Sequence, residues 1–437
     1  MPTRKRNSAR NRSRAGTVAS VLAGTLLMSG CGPADGTETL TWYINPDAGG
    51  QADIAERCTE EAGGAYRIET SLLPSDAASQ REQLARRLAA GDSSLDIMSL
   101  DPPFIPELAE PGFLAPVPDD VAESTTQNVV EGALAGATWK DELVTIPFWA
   151  NTQILWYRKS VAEAAGLDMS KPVTWDQLMD VAAEQDKYLG VQGAQAESMT
   201  VWVNALVESG GESIIVDPEA PSDEIELALQ SPAGLEAARI VSTIGKDGLG
   251  GPGLATQNEN TSMINFQGDN GSFMVNWPFV WPATNGAVEA GTLDAGLIED
   301  IGWGLYPQVA EGEDSAPPLG GINLGVGAAS DNPELAYEAI ECIVSPENQA
   351  EYFVTNGNPP ANTEAYEDPK IEEAFPMADT IRQSLEQSAP RPQTPFYNEV
   401  STGIQQTWAP PASVDPEGTP EESTEFIISV LRGEQLL

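Results

Sequence analysis

Histidine is absent from this chain of 437 residues. That removes Ser-His-Asp and Cys-His nucleophile pairs, and with them every histidine-ligated metal centre. Cysteine is scarce, with three residues in all, at 31, 58 and 342. Cations are few as well: 22 Lys and Arg stand against 66 Asp and Glu, for a formal net charge of −44 at pH 7. Such a surface repels nucleic acid and anionic lipid headgroups and favours solubility, so it reads as a solvated exterior and not as a site for a basic partner. No apolar run reaches the ~20 residues that a membrane-spanning helix needs. At 41% hydrophobic and 20% charged, the composition is that of a globular protein large enough for two or three domains.

Six of the cations fall before residue 15 (Arg4, Lys5, Arg6, Arg10, Arg12 and Arg14), with no acid among them. The short apolar stretch 15–30 follows and stops at Leu26-Leu27-Met28-Ser29-Gly30-Cys31. A charged start, an apolar middle and small residues before the break read as an export signal over residues 1–30. A cysteine directly after Ser-Gly resembles a bacterial lipobox, although Met28 stands where Leu is more usual. The expectation is lipidation of Cys31, a small polar tether over 31–38, and a protein held on the outer face of the cell membrane by lipid alone. The plain alternative is a cleaved secretory signal. Multiple acyl chains on an N-terminal cysteine anchor firmly where one would not. Cys58 and Cys342 remain, and in an oxidising compartment two such residues form a disulfide readily; the other reading is two buried free thiols.

Beyond the tether the pattern alternates. Residues 39–44 read as a buried strand closed by Asn45-Pro46-Asp47, followed by a helix at 51–61, a strand at 66–73, a helix at 76–90 capped by Ser75, and a strand at 95–100. Strands alternating with helices indicate βαβ units and parallel sheet. Further strands are expected at 143–147, 153–157, 213–216 and 272–276, with helices from a Thr174/Gln177 capping box and at 232–244. From Pro333 onward helices dominate, at 333–344, 346–356, 369–387, 395–408 and 420–431, each opened by proline near its first turn.

Four segments place a planar aromatic near a short carboxylate or amide, at positions expected to be strand ends, where open α/β sheets form their ligand crevice. They are 96–104 with Asp101, 147–159 with Asn151, 258–260 ahead of Trp277, and 391–397 with Arg391 and Tyr397. Carboxylates, amides and guanidinium groups bind vicinal hydroxyls in pairs, while the C–H face of a pyranose lies against an indole or phenol. Each segment alone is as well explained by a turn, a core contact or a helix cap.

The set together resembles a family. Gln80-Arg81-Glu82-Gln83-Leu84, Met98-Ser99-Leu100-Asp101-Pro102, Phe148-Trp149-Ala150-Asn151-Thr152-Gln153, Leu155-Trp156-Tyr157-Arg158-Lys159, Trp277-Pro278, Gly320-Gly321-Ile322-Asn323-Leu324, Arg391-Pro392 and Thr394-Pro395-Phe396-Tyr397 are similar to stretches of the sugar-binding lipoproteins of ABC importers. These belong to the maltose-binding-protein class of two-lobed periplasmic binding proteins, and the similarity is greatest to mycobacterial trehalose-binding lipoproteins. The resemblance implies that Asp101 and Asn151 meet hydroxyls of one glucose unit and that Glu259 meets them from the opposite lobe. It further implies that Trp277 stacks on a ring face, Gly321 brings main chain close to the sugar, and Arg391 supplies a guanidinium contact with Tyr397 beside it. Asp47 is a weaker candidate from the broader class, and Trp149 and Trp281 read as core or rim.

The expected fold is α/β, two lobes with the ligand cleft between them, lobe one comprising 39–149 plus 324–361 and lobe two 152–318 plus 362–437. Crossings are expected at 150–153, at 319–323 and beyond Ala361, an arrangement that puts Cys58 and Cys342 in one lobe. The implied function is capture of a disaccharide, trehalose above others, by a monomer that delivers it to the subunits of an ABC permease, with no cofactor, no metal and no nucleic acid. Two alternatives stay open: the same fold binding maltose, another glucoside or a glycerophosphodiester, and a secreted glycosidase that uses a carboxyl pair such as Asp101 and Glu259.

Overall fold

Residues 37–437 are described by the computed structural model. The expected signal, the lipidation site Cys31 and nearly all of the tether lie outside the described residues, and Glu38 already begins the first strand. That strand, Glu38–Ile44, buries Leu40, Trp42, Tyr43 and Ile44, as β-formers do in a sheet covered on both faces. It pairs in parallel with Tyr66–Leu72 on one side and Ile97–Leu100 on the other, and the helices Gly50–Glu61 and Ala77–Ala89 make the crossovers. Pro318–Gly325 adds antiparallel to Ile97–Leu100; Ile146–Thr152 and the short Ala389–Pro390 also pair with it, giving six strands.

A second sheet of four strands runs in the order Ile301–Gly304, Ile154–Arg158, Gly271–Asn276, Tyr188–Gly190. The chain passes from the first sheet to the second at Gln153, which is buried and donates to Gln192 at 3.3 Å. Residues 319–323 are not a free crossing. They lie inside the strand Pro318–Gly325 and are hydrogen-bonded to Ile146–Thr152 along their length. Nor do residues 324–361 keep to the first sheet alone. On the helix Pro346–Asn356, Tyr352 packs with the core under the first sheet, whereas Ala350 and Phe353 join a cluster with Trp156 and Met274 of the second. Residues 362–437 are shared as well, since Ala389–Pro390 extends the first sheet while Tyr397–Trp408 packs on the helices Glu197–Ser209 and Gly418–Leu431. Cys58 and Cys342 are disulfide-bonded across 284 residues and tie Gly50–Glu61 to Pro333–Ile343.

Other departures have local causes. Asp76, not Ser75, caps the second helix, because its carboxylate accepts from the Ser79 N–H at 2.8 Å. The expected strand at 213–216 is a single bridge between Ile215 and Leu227. The helix expected over 369–387 breaks into Pro369–Ala374 and Ala378–Gln387 around Pro376, which cannot donate to the helical ladder. Several helices have no counterpart among the expected elements, Asp119–Thr125 and Val280–Glu289 among them, and two of the unexpected ones carry acids of the site. Glu197–Ser209 is buried on nearly every side, so it shows no apolar stripe, and Glu259–Gln267 is short, polar and buries only Ser262 and Phe266. Both begin at the cleft.

Candidate functional site

A cavity of about 1040 Å³ opens between the two sheets. Its walls come from the ends of strands and the first turns of helices. Asp101 follows Ile97–Leu100 directly, where Pro102 and Pro103 turn the chain out of the sheet. Asn151 lies on Ile146–Thr152, opposite Gly320 on the neighbouring strand. Trp277 follows Gly271–Asn276. Glu259 is the first residue of Glu259–Gln267, a helix fixed by a reciprocal capping box between Asn258 and Thr261.

One buried side chain holds two of these parts together. Asn276 accepts from the Trp277 N–H at 2.9 Å and donates to the Glu259 carbonyl at 2.9 Å. The strand end and the helix start are therefore fixed relative to each other before any ligand arrives. On the facing side the indole rests on bare backbone: a Cβ added to Gly320 would lie 2.9 Å from Cη2 of Trp277. Gly321, the expected backbone contact, lines the cavity, but its glycine identity has a reason within the fold. Its φ of +137° suits only glycine, and a Cβ there would come 2.2 Å from the Trp149 carbonyl oxygen.

Arg391 is 5% exposed and sits between two acids. Its terminal nitrogens reach Asp101 at 2.5 and 3.2 Å and Glu197 at 2.7 Å. Glu197 also accepts from the hydroxyls of Ser401, at 2.6 Å, and Tyr397. Burial pushes the Glu197 carboxyl above the ordinary range, against the pull of Arg391 and these hydroxyls. Burial likewise raises Glu259, with the neighbouring Glu197 acting in the same direction and Arg391 opposing. Among the described residues no side chain donates to the Glu259 carboxylate, which leaves it free to receive a hydroxyl or an ammonium.

Asp47, Asp101, Asn151, Glu259, Trp277, Gly321 and Arg391 all line this one cavity. Tyr397 does not. It is fully buried behind Glu197, edge-on to Phe104 at 5.2 Å, with its hydroxyl directed to the Glu197 carboxylate; its part is to hold Glu197, not to touch a ligand. Asp47 lines the wall, yet its oxygens accept from the Gly49 and Gln51 N–H groups at 2.8 and 2.9 Å, so it also closes the start of Gly50–Glu61. Trp149 is wall and core at once, packed on Phe148 and Tyr352. Trp281 is away from the cavity, donating to the Ala374 carbonyl and packed against Trp303.

Sequence reasoning missed Glu197, Ser198, Asn45 and Asn358, which also line the cavity. Ala196-Glu197-Ser198 ahead of an apolar run carries the signal of a helix start, but nothing local shows that the carboxylate will meet Arg391. Two polar atoms of the wall, Asn45 Oδ1 and Ser198 Oγ, are buried without a hydrogen-bond partner among the described residues. Buried polar atoms are nearly always paired, and in a cavity wall the missing partner is a ligand or water. Among the described residues no cluster of three or more Cys, Asp or Glu is placed to hold a metal ion.

This architecture occurs in proteins of known structure. Maltose-bound MalE3 of T. maritima superposes with a TM-score of 0.75 at 23% identity, over 91% of this chain and 100% of that one. The GacH receptor of Streptomyces glaucescens GLA.O, solved unliganded and with acarbose and an acarbose homolog, gives 0.74 at 19% identity, over 91% of this chain and 98% of that one. At those identities the likeness establishes the fold, that of the maltose-binding-protein-like type II periplasmic binding proteins. In sequence, a probable ABC transporter-binding protein of Deinococcus radiodurans is 24% identical over 347 residues, 75% of this chain and 78% of that protein. Residues 53–378 match the model of the bacterial extracellular solute-binding protein family. This chain therefore belongs to the bacterial extracellular solute-binding proteins, a family of binding proteins and not of enzymes.

Proposed function

We propose that this protein captures a disaccharide, with trehalose foremost, and presents it to the permease of an ABC importer. The observation that carries this reading is the pairing, in one cavity, of the flat indole of Trp277 with short polar side chains from both sheets: Asp101 and Asn151 from the first, Glu259 and Ser198 from the second. Rigid aromatic surface against a C–H face, ringed by hydroxyl-binding groups, is what a pyranose requires. The name of the Deinococcus relative agrees with service to an ABC transporter, and that of the maltose-bound neighbour agrees with a sugar ligand. Preference for trehalose rests on the resemblance of the segments around Asp101, Asn151, Trp277 and Arg391 to trehalose-binding lipoproteins.

In the same reading, lipid on Cys31 keeps the binder beside its permease and raises its local concentration there. Ligand draws the two halves together about the crossing at Gln153, because the hydroxyl-binding set is complete only when both walls engage. The glycosidase alternative falls with family membership. Calorimetric titration with trehalose, then with maltose, tests the proposal. Saturable trehalose binding that weakens in Trp277→Ala is the expected result; no heat with either sugar refutes it.

A further inference from the structure

Among the described residues five helices begin at the cavity: Gly50–Glu61, Ala77–Ala89, Glu197–Ser209, Glu259–Gln267 and Val280–Glu289. A helix start carries partial positive charge and unpaired N–H groups, which makes it a ready anion site. Four of these starts are already furnished with an acid of the chain itself, and at the fifth, Val280–Glu289, the Val280 and Trp281 N–H groups donate to the Trp277 and Pro278 carbonyls. Asp47 accepts from the Gly49 and Gln51 N–H groups, Asp76 accepts from the Ser79 N–H, and Glu197 and Glu259 are the first residues of their helices. The one cation in the wall among the described residues, Arg391, is shared between Asp101 and Glu197. Among the described residues five carboxylates thus face the cavity against one guanidinium, and no positive side chain is left for a ligand anion.

Unpaired groups in the wall point the same way. Among the described residues no side chain donates to the carboxylate of Glu259, whose one partner is its own backbone N–H, and Asn45 Oδ1 is an acceptor with no donor. Ser198 is 3% exposed, and its hydroxyl serves as donor or acceptor. A bound group has to supply hydrogens, which hydroxyls and ammonium groups do and phosphate or carboxylate groups at neutral pH do poorly.

We infer that the cleft selects by charge: it takes neutral and amine-bearing glycosides and rejects phosphorylated or carboxylated ones, with Glu259 the acceptor for a ligand ammonium. The inference deepens the proposed function and rests on it. It also sets the glycerophosphodiester alternative aside on electrostatic grounds.

The test uses three probes of one shape: trehalose, 6-amino-6-deoxytrehalose and trehalose 6-phosphate, titrated calorimetrically at pH 7 into the wild-type protein and into Glu259→Gln and Asp76→Asn. The amine is expected to bind at least tenfold more tightly than the phosphate, with the gap narrowing as NaCl is raised from 20 to about 300 mM, as screening requires. Glu259→Gln is expected to narrow the gap at low salt, and Asp76→Asn, which keeps the helix cap, to narrow it less. A gap below tenfold, or a phosphate that binds more tightly, overturns the inference while leaving sugar binding intact. A gap that Glu259→Gln leaves unchanged overturns the role given to Glu259. If neither trehalose nor maltose nor the amine binds, the proposed function fails and this inference fails with it.

Discussion

Replacing Gly320 by alanine is a direct probe of how the cleft holds its aromatic wall. The new Cβ would stand 2.9 Å from Cη2 and 3.1 Å from Cζ3 of Trp277, whereas carbon atoms settle at about 3.5–4.0 Å. Gly320 cannot withdraw, because Leu319 to Leu324 pair with Ile146–Thr152. The indole is partly exposed and faces the cavity, so it is the part that moves, by roughly 0.7 Å on that contact distance. A sugar face covering roughly 80 Å² of apolar indole surface gains about 2 kcal/mol at ~25 cal/mol per Å². A misfit of ~0.7 Å forfeits about a quarter to a half of a dispersion well, which converts to a two- to six-fold rise in Kd. Trp277→Ala removes the whole contact and is expected to weaken binding about thirty-fold. The decisive measurement is a double-mutant cycle by calorimetry: Gly320→Ala should cost nothing further once Trp277 is alanine. The reasoning is refuted if Gly320→Ala binds as the wild type does, or if its effect persists undiminished in the Trp277→Ala background.

Other perturbations separate binding from stability. Replacing both Cys58 and Cys342 by serine opens a loop of 284 residues, which on the chain-entropy account lowers unfolding free energy by roughly 5 kcal/mol; denaturant unfolding reads the loss, and sugar affinity of the folded protein stays unchanged because neither cysteine lines the cavity. Glu197→Ala takes one of two acids from Arg391 and the acceptor from the Tyr397 and Ser401 hydroxyls and is expected to cost about 2–3 kcal/mol together with sugar affinity, whereas Tyr397→Phe removes one hydroxyl and should cost about 1 kcal/mol with affinity within a few-fold. Burial raises the Glu208 carboxyl from 4.5 to about 7, so between those pH values the native state holds a proton that the unfolded chain has released, and stability falls as pH rises through that window. Glu208→Gln should therefore leave thermal unfolding nearly unchanged at pH 4.5 and raise Tm at pH 8, by roughly 3–4 °C for a cost of about 3 kcal/mol; equal shifts at both pH values would refute this account of Glu208.

What could be read in advance follows the range of the interactions involved. The βαβ opening was legible because strand and helix patterns are local: Glu38–Ile44 and Tyr66–Leu72 carry β-formers, and the Thr174/Gln177 capping box is a signal of four residues. The helices Glu197–Ser209 and Glu259–Gln267 were not, since one is apolar all round and the other polar nearly all round, and neither shows a period. Tyr397 illustrates a subtler failure. It follows the cavity residue Arg391 by six positions and touches Glu197 of the wall, but its hydroxyl turns inward to that carboxylate.

The amino-acid sequence by itself determined the chemistry that was possible: no imidazole, an acidic chain, and enough short polar and planar aromatic residues to clasp a polyol. It also determined the alternation of strand and helix, because side-chain periodicity and capping act over a few residues. Tertiary structure alone decided which acids are engaged and which remain open to a ligand. Arg391 meets Asp101 across 290 residues and Glu197 across 194, Trp277 finds its seat on Gly320, and Glu259 is left without a side-chain donor among the described residues. Those outcomes depend on distance and burial, which are properties of the packed chain and of no segment taken alone.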